Sequence, residues 1–363
     1  MPAGGSDPLQ INSFPFSPIF LKDLVAMLIQ QEGHWRLWLE SCCHLKTYGL
    51  PTILHIGMEK TGSTAIQVWL AKERPALAKR GWHVPKTLGL LNHREVSFLG
   101  YDPERRDDGT SRRGICTNQD LLRLQGEILE RLRDEVTQAR NADQRALLLS
   151  TELASSRLTH SREIKRLFSA LREAGVGPIL IVLFRRDPTS LIESRHSTAI
   201  QHEGWLAPHP PAPGTPLADL FGNQVDLERR WMEAIKATSE TSLEVYRYAP
   251  KTLVAGSSAA TVATLLGCDK ALQETAKTIR SNPPLPLLNL ILLRFCNWLE
   301  RQPGAWIKRG CARMRPILMK YPLGPWRYQL PLKLKQLYKS YYLESALPPG
   351  EAWLMSSSWF KAG

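Results

Sequence analysis

The chain has 363 residues, of which 43% are hydrophobic and 22% are charged, and this balance excludes a wholly disordered chain. No apolar run approaches the roughly 20 residues that a membrane-spanning helix requires. Lysine and arginine outnumber aspartate and glutamate by 47 to 34, and the net charge of +13 favours an anionic substrate or partner. The six cysteines lack zinc-site spacing and are predicted to be reduced thiols, which suits a cytoplasmic protein.

The first half of the chain begins with a predicted appendage and then alternates between strand and helix patterns. Residues 1–50 form the appendage, with an amphipathic helix predicted from Phe20 to Trp38. The first strand signal is the β-branched, apolar run at 52–56, followed by a loop and an apolar-periodic helix. Another strand is predicted near Trp82 to Val84, and Tyr101 to Arg113 is predicted to be a charged loop.

The middle of the chain contains the strongest strand signals. A long amphipathic helix from Leu121 to Arg140 precedes an apolar strand at 146–150, and a helix from about Arg162 to Ala174 precedes another at 178–184. Strands this apolar are typical of a parallel sheet covered on both faces. Leu243 to Tyr248 is a candidate further strand. The alternation predicts an α/β fold with a doubly wound parallel sheet flanked by helices.

The C-terminal part is strongly basic. From Arg301 to Leu343 there are ten lysines and arginines, no acidic residue, and several interleaved aromatic residues. Such a segment attracts phospholipid headgroups or a polyanion, although a solvated basic surface is an alternative. We predict that residues 301–363 pack as a helical basic extension on the α/β domain, and that 301–343 contacts an anionic membrane or polyanion. A nucleic-acid partner is not expected.

The loop after the first strand, from Gly57 to Thr64, has the features of a phosphate site. Glycines let successive N–H groups point inward, and the following helix adds its positive end. The spacing of Gly57 and Gly62 matches the start of a Walker A motif, but Ser63 takes the place of that motif's lysine. The lysine, Lys60, lies inside the loop instead. This arrangement fits a 5′-phosphosulfate, which requires no metal, better than the phosphates of a kinase substrate.

The string from His55 to Gln67 resembles the 5′-phosphosulfate loop of the sulfotransferases, most closely a bacterial-type branch with a Lys-Thr-Gly-[Ser/Thr]-Thr core. These P-loop-type enzymes use 3′-phosphoadenosine 5′-phosphosulfate (PAPS) as the sulfonate donor. The resemblance extends over about 51–342 and implies a P-loop-type domain at 51–300. It also implies that the 5′-phosphosulfate is held by Lys60, Thr61, Gly62, Ser63 and Thr64.

A second motif strengthens the resemblance. Arg186 precedes Asp-Pro after the strand at 178–184, and Ser194 follows eight positions later. The arginine, as a forked donor, and the serine hydroxyl can converge on one phosphate. The resemblance implies that they bind the 3′-phosphate of PAPS. A weak match at Arg280 to Asn282 suggests a loop over the nucleotide.

Two residues are candidates for the general base that removes the acceptor's proton. His93 lies in a polar stretch, and histidine titrates near neutral pH. Glu152 follows a buried strand, at the carboxyl ends of the strands of a parallel sheet, where catalytic groups usually lie. The family uses either residue type, so both stay candidates, with His93 ranked slightly ahead.

Together these features predict a cytoplasmic, PAPS-dependent sulfotransferase, peripheral to the membrane through 301–343, that acts without a metal. Its acceptor is a hydroxyl or amine of a glycan or of a lipid-linked molecule. Two alternatives stay open. One is a P-loop kinase, in which Glu152 ends a strand of Walker B type; the other is a non-catalytic sulfotransferase-like protein that binds membrane or polyanion.

Overall fold

The protein is an α/β structure built on one parallel sheet. The computed structural model describes residues 33–44, 49–238, 240–279 and 285–342. Within them, five strands pair in parallel and helices flank the sheet. The predicted α/β class and parallel sheet are therefore confirmed.

The strands, numbered along the chain, are β1 (Leu50–His55), β2 (Trp82–His83), β3 (Ala146–Ser150), β4 (Val176–Arg185) and β5 (Thr241–Arg247). The helices up to β4 are α1 (His34–His44), α2 (Ser63–Lys72), α3 (Arg74–Ala78), α4 (Glu95–Phe98), α5 (Asp108–Ser111), α6 (Asn118–Asn141), α7 (Leu153–Arg157) and α8 (Ser161–Glu173). The helices after β4 are α9 (Pro188–His202), α10 (Pro216–Gly222), α11 (Gln224–Ile235), α12 (Ser258–Leu265), α13 (Lys270–Thr278), α14 (Leu287–Leu299), α15 (Ala305–Lys320) and α16 (Leu332–Tyr341), with a short 3₁₀ turn at Val254–Gly256.

Strand β1 lies at the centre of the sheet, whose order is β2-β3-β1-β4-β5. From β1 the chain first runs to the β2 edge, returns through β3, and then crosses to β4 on the other side of β1. In parallel sheets of this kind, ligands bind at the carboxyl ends of the strands where the chain direction across the sheet reverses. The segments that follow β1, β3 and β4 share that edge.

The strands are buried because both faces of the sheet are covered. Ile53, Leu148 and Leu180 lie in register across β1, β3 and β4 and face the helices α2, α12 and α13. The next residue in each strand belongs to the opposite face, where α6, α8 and α11 pack. Successive side chains of a strand point to opposite faces, so each apolar run supplies both layers of the core.

Most predicted elements correspond to observed ones, and the strand at 146–150 is found with those bounds. The charged loop predicted at Tyr101 to Arg113 is wrong in part, because Asp107 caps the short helix α5 within it. The helix predicted from Phe20 to Trp38 overlaps α1, which begins at His34 after a turn at Gly33; residues 20–32 lie outside the described ones. The weak match at Arg280 to Asn282 also lies outside them.

The described part of the basic C-terminal extension, residues 301–342, contains the helices α15 and α16 and the non-helical loop at 321–331 between them. Helices α14 and α15 pack together, and both are joined to α9. The Asn297 side chain donates to the Ile200 carbonyl (2.9 Å), and Arg315 donates to the Gln201 carbonyl (3.1 Å). In the described ranges no helix combines the length and the apolar character needed to cross a bilayer. The predicted domain bounds and the cytoplasmic location stay predictions.

Candidate functional site

The loop between β1 and α2 forms a tight curl at the carboxyl edge of the sheet. Both the backbone N–H and the hydroxyl of Thr61 donate to the Met58 carbonyl, at 3.3 and 2.5 Å. Lys60 (φ 68°) and Gly62 (φ 79°) adopt left-handed backbone conformations. That conformation is common for glycine but costs about 1 kcal/mol or more for lysine, so surrounding contacts must hold Lys60 in place.

Gly62 is required by its surroundings. A Cβ atom there would collide with the Ser258 hydroxyl and the ring of Tyr248. Ser258 also donates to the Gly62 carbonyl at 2.9 Å. No described side chain caps α2 at Gly62, and Ser63 and Thr64, the first helical residues, line an open cleft. An uncapped helix N-terminus facing a cleft favours an anion.

Arg186 joins the second motif to this loop. Its guanidinium donates from Nη1 to the Lys60 carbonyl (2.7 Å) and from Nε to the Ser190 hydroxyl (3.0 Å). It also lies over the Tyr248 ring, 5.5 Å from the ring centroid. Because β1 and β4 are adjacent, residues 126 positions apart meet at one edge of the sheet.

Most of the predicted site residues surround one cleft of about 870 Å³. Those that line it are Lys60, Gly62, Ser63, Thr64, Glu152, Arg186 and Ser194. Thr61, within the loop, is fully buried, and its hydroxyl stabilises the curl through the bond to the Met58 carbonyl. His93 is also buried and does not line the cleft.

Positive charge predominates in the cleft. Burial lowers the pKa of Lys60, and the guanidinium groups of Arg186 and Arg195 lower it further, while Glu59 opposes them. Among the described residues, seven lysines and arginines line the cleft: Lys60, Arg94, Arg112, Arg113, Arg157, Arg186 and Arg327. The acidic residues that line it in the same part of the chain are four, namely Glu59, Asp108, Glu152 and Glu193. Like charges crowded in a desolvated cleft favour the binding of an anion, which relieves their repulsion.

Glu152 is an acidic residue of the cleft whose carboxylate is held by two side-chain amides. One carboxylate oxygen accepts from the Gln67 amide of α2 (2.5 Å), and the other accepts from the Asn92 amide (3.0 Å). Glu152 follows β3 and precedes α7, so its backbone is also fixed at the sheet edge. The carboxylate keeps lone pairs free on both oxygens and can accept a proton from a bound acceptor.

The position of His93 does not fit the role of general base. Its Nδ1 accepts from the Ser150 N–H (3.0 Å), and its Nε2 donates to the Pro85 carbonyl (3.1 Å), so both ring nitrogens bind the backbone. Burial lowers the pKa of His93 to about 4. The backbone N–H of His93 donates to the Ser150 carbonyl at 3.0 Å. His93 therefore attaches its segment to the end of β3 and positions the adjacent Asn92 against Glu152.

Several residues of the cleft were not singled out from the sequence. Ser190 lies four residues after Arg186, and Tyr248 directly follows β5; both contact the Arg186 guanidinium. Tyr248 follows a strand at the carboxyl edge, a position that could have indicated it. Arg327 and Tyr328 come from the loop before α16, and no local pattern indicates that this loop reaches the cleft.

No known protein family, curated protein or solved structure matches the chain. Its function is therefore inferred from the residues of the cleft.

The buried, neutral state of His93 predicts a specific pH dependence of stability. Its pKa is about 4 in the folded protein, against a usual value of 6.5. Below about pH 6.5 the unfolded chain binds a proton that the folded chain does not, so stability falls with decreasing pH. Between pH 7 and pH 5, His93 should contribute a loss of about 2 kcal/mol in unfolding free energy.

Urea unfolding of wild-type and His93→Gln protein at both pH values measures this contribution, because the other histidines are common to both. Between pH 7 and pH 5, the unfolding free energy of the variant should fall by about 2 kcal/mol less than that of wild type. An NMR titration in which the His93 ring protonates near pH 6.5 in the folded protein would contradict the account.

Proposed function

We propose that the chain is a PAPS-dependent sulfotransferase with a P-loop-type fold. It moves a sulfonyl group to a hydroxyl or amine of a glycan or of a lipid-linked acceptor. The observation that carries the proposal is the hydrogen bond of 2.7 Å between the Arg186 guanidinium and the Lys60 carbonyl. This bond joins two anion-binding clusters in one cleft, and the donor carries phosphate groups on both the 3′ and 5′ positions of one ribose.

The residues around the β1–α2 loop fit the 5′-phosphosulfate. Lys60 supplies a partly desolvated ammonium group, and the uncapped start of α2 supplies N–H donors at Ser63 and Thr64. Donors of both kinds bind phosphate and sulfate oxygens. The curl that Thr61 stabilises keeps them in position before the ligand binds.

The residues around Arg186 fit the 3′-phosphate. The guanidinium has its Nη1 and Nε donors engaged by Lys60 and Ser190, which orients the group toward the cleft and leaves Nη2 available. Ser194 lines the cleft from α9 and adds a hydroxyl donor, whereas the Ser190 hydroxyl accepts from Arg186 and donates to the Asp187 carbonyl (3.1 Å). Arginine with a serine hydroxyl is suited to a phosphate dianion.

The proposed reaction is an in-line displacement at sulfur. The acceptor oxygen or nitrogen forms a bond to sulfur while the bond from sulfur to the 5′-phosphate oxygen breaks, which releases adenosine 3′,5′-bisphosphate (PAP). Lys60 stabilises the charge that develops on the leaving phosphate. Glu152 receives the acceptor's proton, because its carboxylate lines the cleft and is held by Gln67 and Asn92.

Two alternatives have weaker support. For a kinase, the lysine expected directly after Gly62 is replaced by Ser63, whose hydroxyl lies 3.4 Å from the Met58 carbonyl. For a non-catalytic binding protein, the cleft would bind the nucleotide but Glu152 would have no chemical role. The two experiments below separate these possibilities.

Binding of PAP tests the donor site. Lys60→Met should raise the dissociation constant for PAP by about tenfold or more, because a charged hydrogen-bond donor to the 5′-phosphate is lost. Lys72→Met, an exposed lysine at the other end of α2, removes the same charge and should leave the affinity unchanged. Titration calorimetry measures both. Equal losses in the two variants, or tighter binding of Mg²⁺–ATP than of PAP by wild type, would refute the donor assignment.

Turnover tests Glu152. Glu152→Gln should slow release of sulfate from saturating PAPS, with water as the acceptor, by about 10²- to 10⁴-fold, since the proton acceptor is removed. PAP affinity should change little. Glu130→Gln, at an exposed position of α6, is the matched control. A Glu152→Gln enzyme as fast as the control would exclude Glu152 as the base.

A further inference from the structure

Helix α14 leaves an apolar stripe exposed. Leu288, Ile291, Phe295 and Trp298 are spaced by three or four residues, which places them on one side of the helix, and all four are exposed. The Phe295 and Trp298 rings stack with centroids 5.7 Å apart. The opposite side of α14 is buried, mainly through Leu290, Leu293 and Cys296. The exposed stripe is therefore additional to the face that holds α14 in the fold.

Helix α15 repeats this arrangement and adds positive charge. Trp306, Met314, Ile317 and Tyr321 are exposed and fall on one side of the helix or at its end. The neighbouring stripe consists of exposed basic residues, namely Arg309, Arg313 and Lys320. The buried side of α15, with Cys311 and Leu318, packs against α14. Apolar and basic stripes side by side are characteristic of helices that lie in a membrane interface.

The same features continue toward α16. Trp326 is 77% exposed and Leu332 is 71% exposed. No acidic residue occurs from Arg301 to Leu343. Glu300, directly before this stretch, is paired with Arg315 at 2.9 Å. Exposed apolar area of this extent is unusual for a protein surface that contacts only water.

We propose that the α14–α15 hairpin is a docking surface for an anionic lipid bilayer. A bilayer interface satisfies both parts of the surface at once, because tryptophan and aliphatic side chains enter the headgroup region while arginine and lysine contact anionic headgroups. A soluble polyanion would neutralise the basic stripe but leave Trp306, Ile317 and the α14 stripe in water. Charge and apolar area together therefore favour a membrane over a polyanion.

The docking surface lies next to the cleft in the chain. Leu290 of α14, and Arg327 and Tyr328 of the loop after α15, line the cleft. Leu290 lies on the side of α14 opposite the exposed stripe, so docking would hold the cleft near the membrane, behind the hairpin, and this proximity favours the lipid-linked acceptors among those proposed. The preference for lipid-linked acceptors rests on the proposed function, whereas docking itself is tested by vesicle binding alone.

The experiment is flotation of the full chain with vesicles of phosphatidylcholine, with and without phosphatidylglycerol. Wild type should bind the anionic vesicles, and binding should weaken with salt. A double variant of the apolar stripe, Trp306→Ser with Ile317→Ser, and one of the basic stripe, Arg309→Ser with Arg313→Ser, should each bind about tenfold more weakly. The control is Leu122→Ser with Arg123→Ser, an exposed apolar and basic pair on α6.

Three results would overturn the proposal. The first is no binding of wild type to anionic vesicles. The second is binding by both hairpin variants that equals that of the α6 control. The third is a dimer of wild type, detected by light scattering, that the Trp306→Ser, Ile317→Ser variant loses while vesicle binding is unchanged. PAP affinity, measured in parallel, should be the same in all variants and separates failure of docking from failure of the nucleotide site.

Discussion

The contact on which the cleft depends is the hydrogen bond from the Arg186 guanidinium to the Lys60 carbonyl. Lys60 adopts a left-handed backbone conformation that a lysine does not favour, and the bond helps to hold it there. Ser258 and Tyr248 support the loop from behind, at Gly62. Since β1 and β4 pair directly, the arginine side chain reaches the Lys60 carbonyl without any intervening segment. The loop is therefore shaped before any ligand binds.

This preorganisation has an electrostatic cost. Burial is the main cause that lowers the pKa of Lys60, and the nearby guanidinium groups of Arg186 and Arg195 lower it further, although Glu59 raises it more than either arginine lowers it. Desolvation is therefore the larger part of the cost, and repulsion among the cations adds to it. A bound dianion at either end of the cleft would relieve it, so the arrangement that destabilises the empty cleft also provides affinity. The exposed apolar stripes of α14 and α15 carry a comparable local cost, because apolar side chains there contact water. The proposed ligand of that surface is a lipid bilayer.

The fold could be predicted from the sequence further than the site could. Apolar runs such as 146–150 indicated buried strands locally, and the parallel sheet then required that Lys60 and Arg186 lie at the same edge. The choice between His93 and Glu152 could not be made in that way. His93 is buried with its two ring nitrogens bound by Ser150 and Pro85, and neither contact is visible in the residues around it. Arg327 reaches the cleft through the packing of the C-terminal helices, which no local pattern specifies.

The central claim is that one adenosine bisphosphate spans the two clusters, and the affinity ratio between PAP and adenosine 5′-phosphate tests it most directly. The ligands differ only in the 3′-phosphate. Wild type should bind PAP more tightly than adenosine 5′-phosphate by about tenfold or more. Arg186→Met should bring this affinity ratio close to one. Lys60→Met should weaken the binding of both ligands and preserve the ratio. A wild-type ratio near one, or a ratio that Arg186→Met leaves unchanged, would contradict the account.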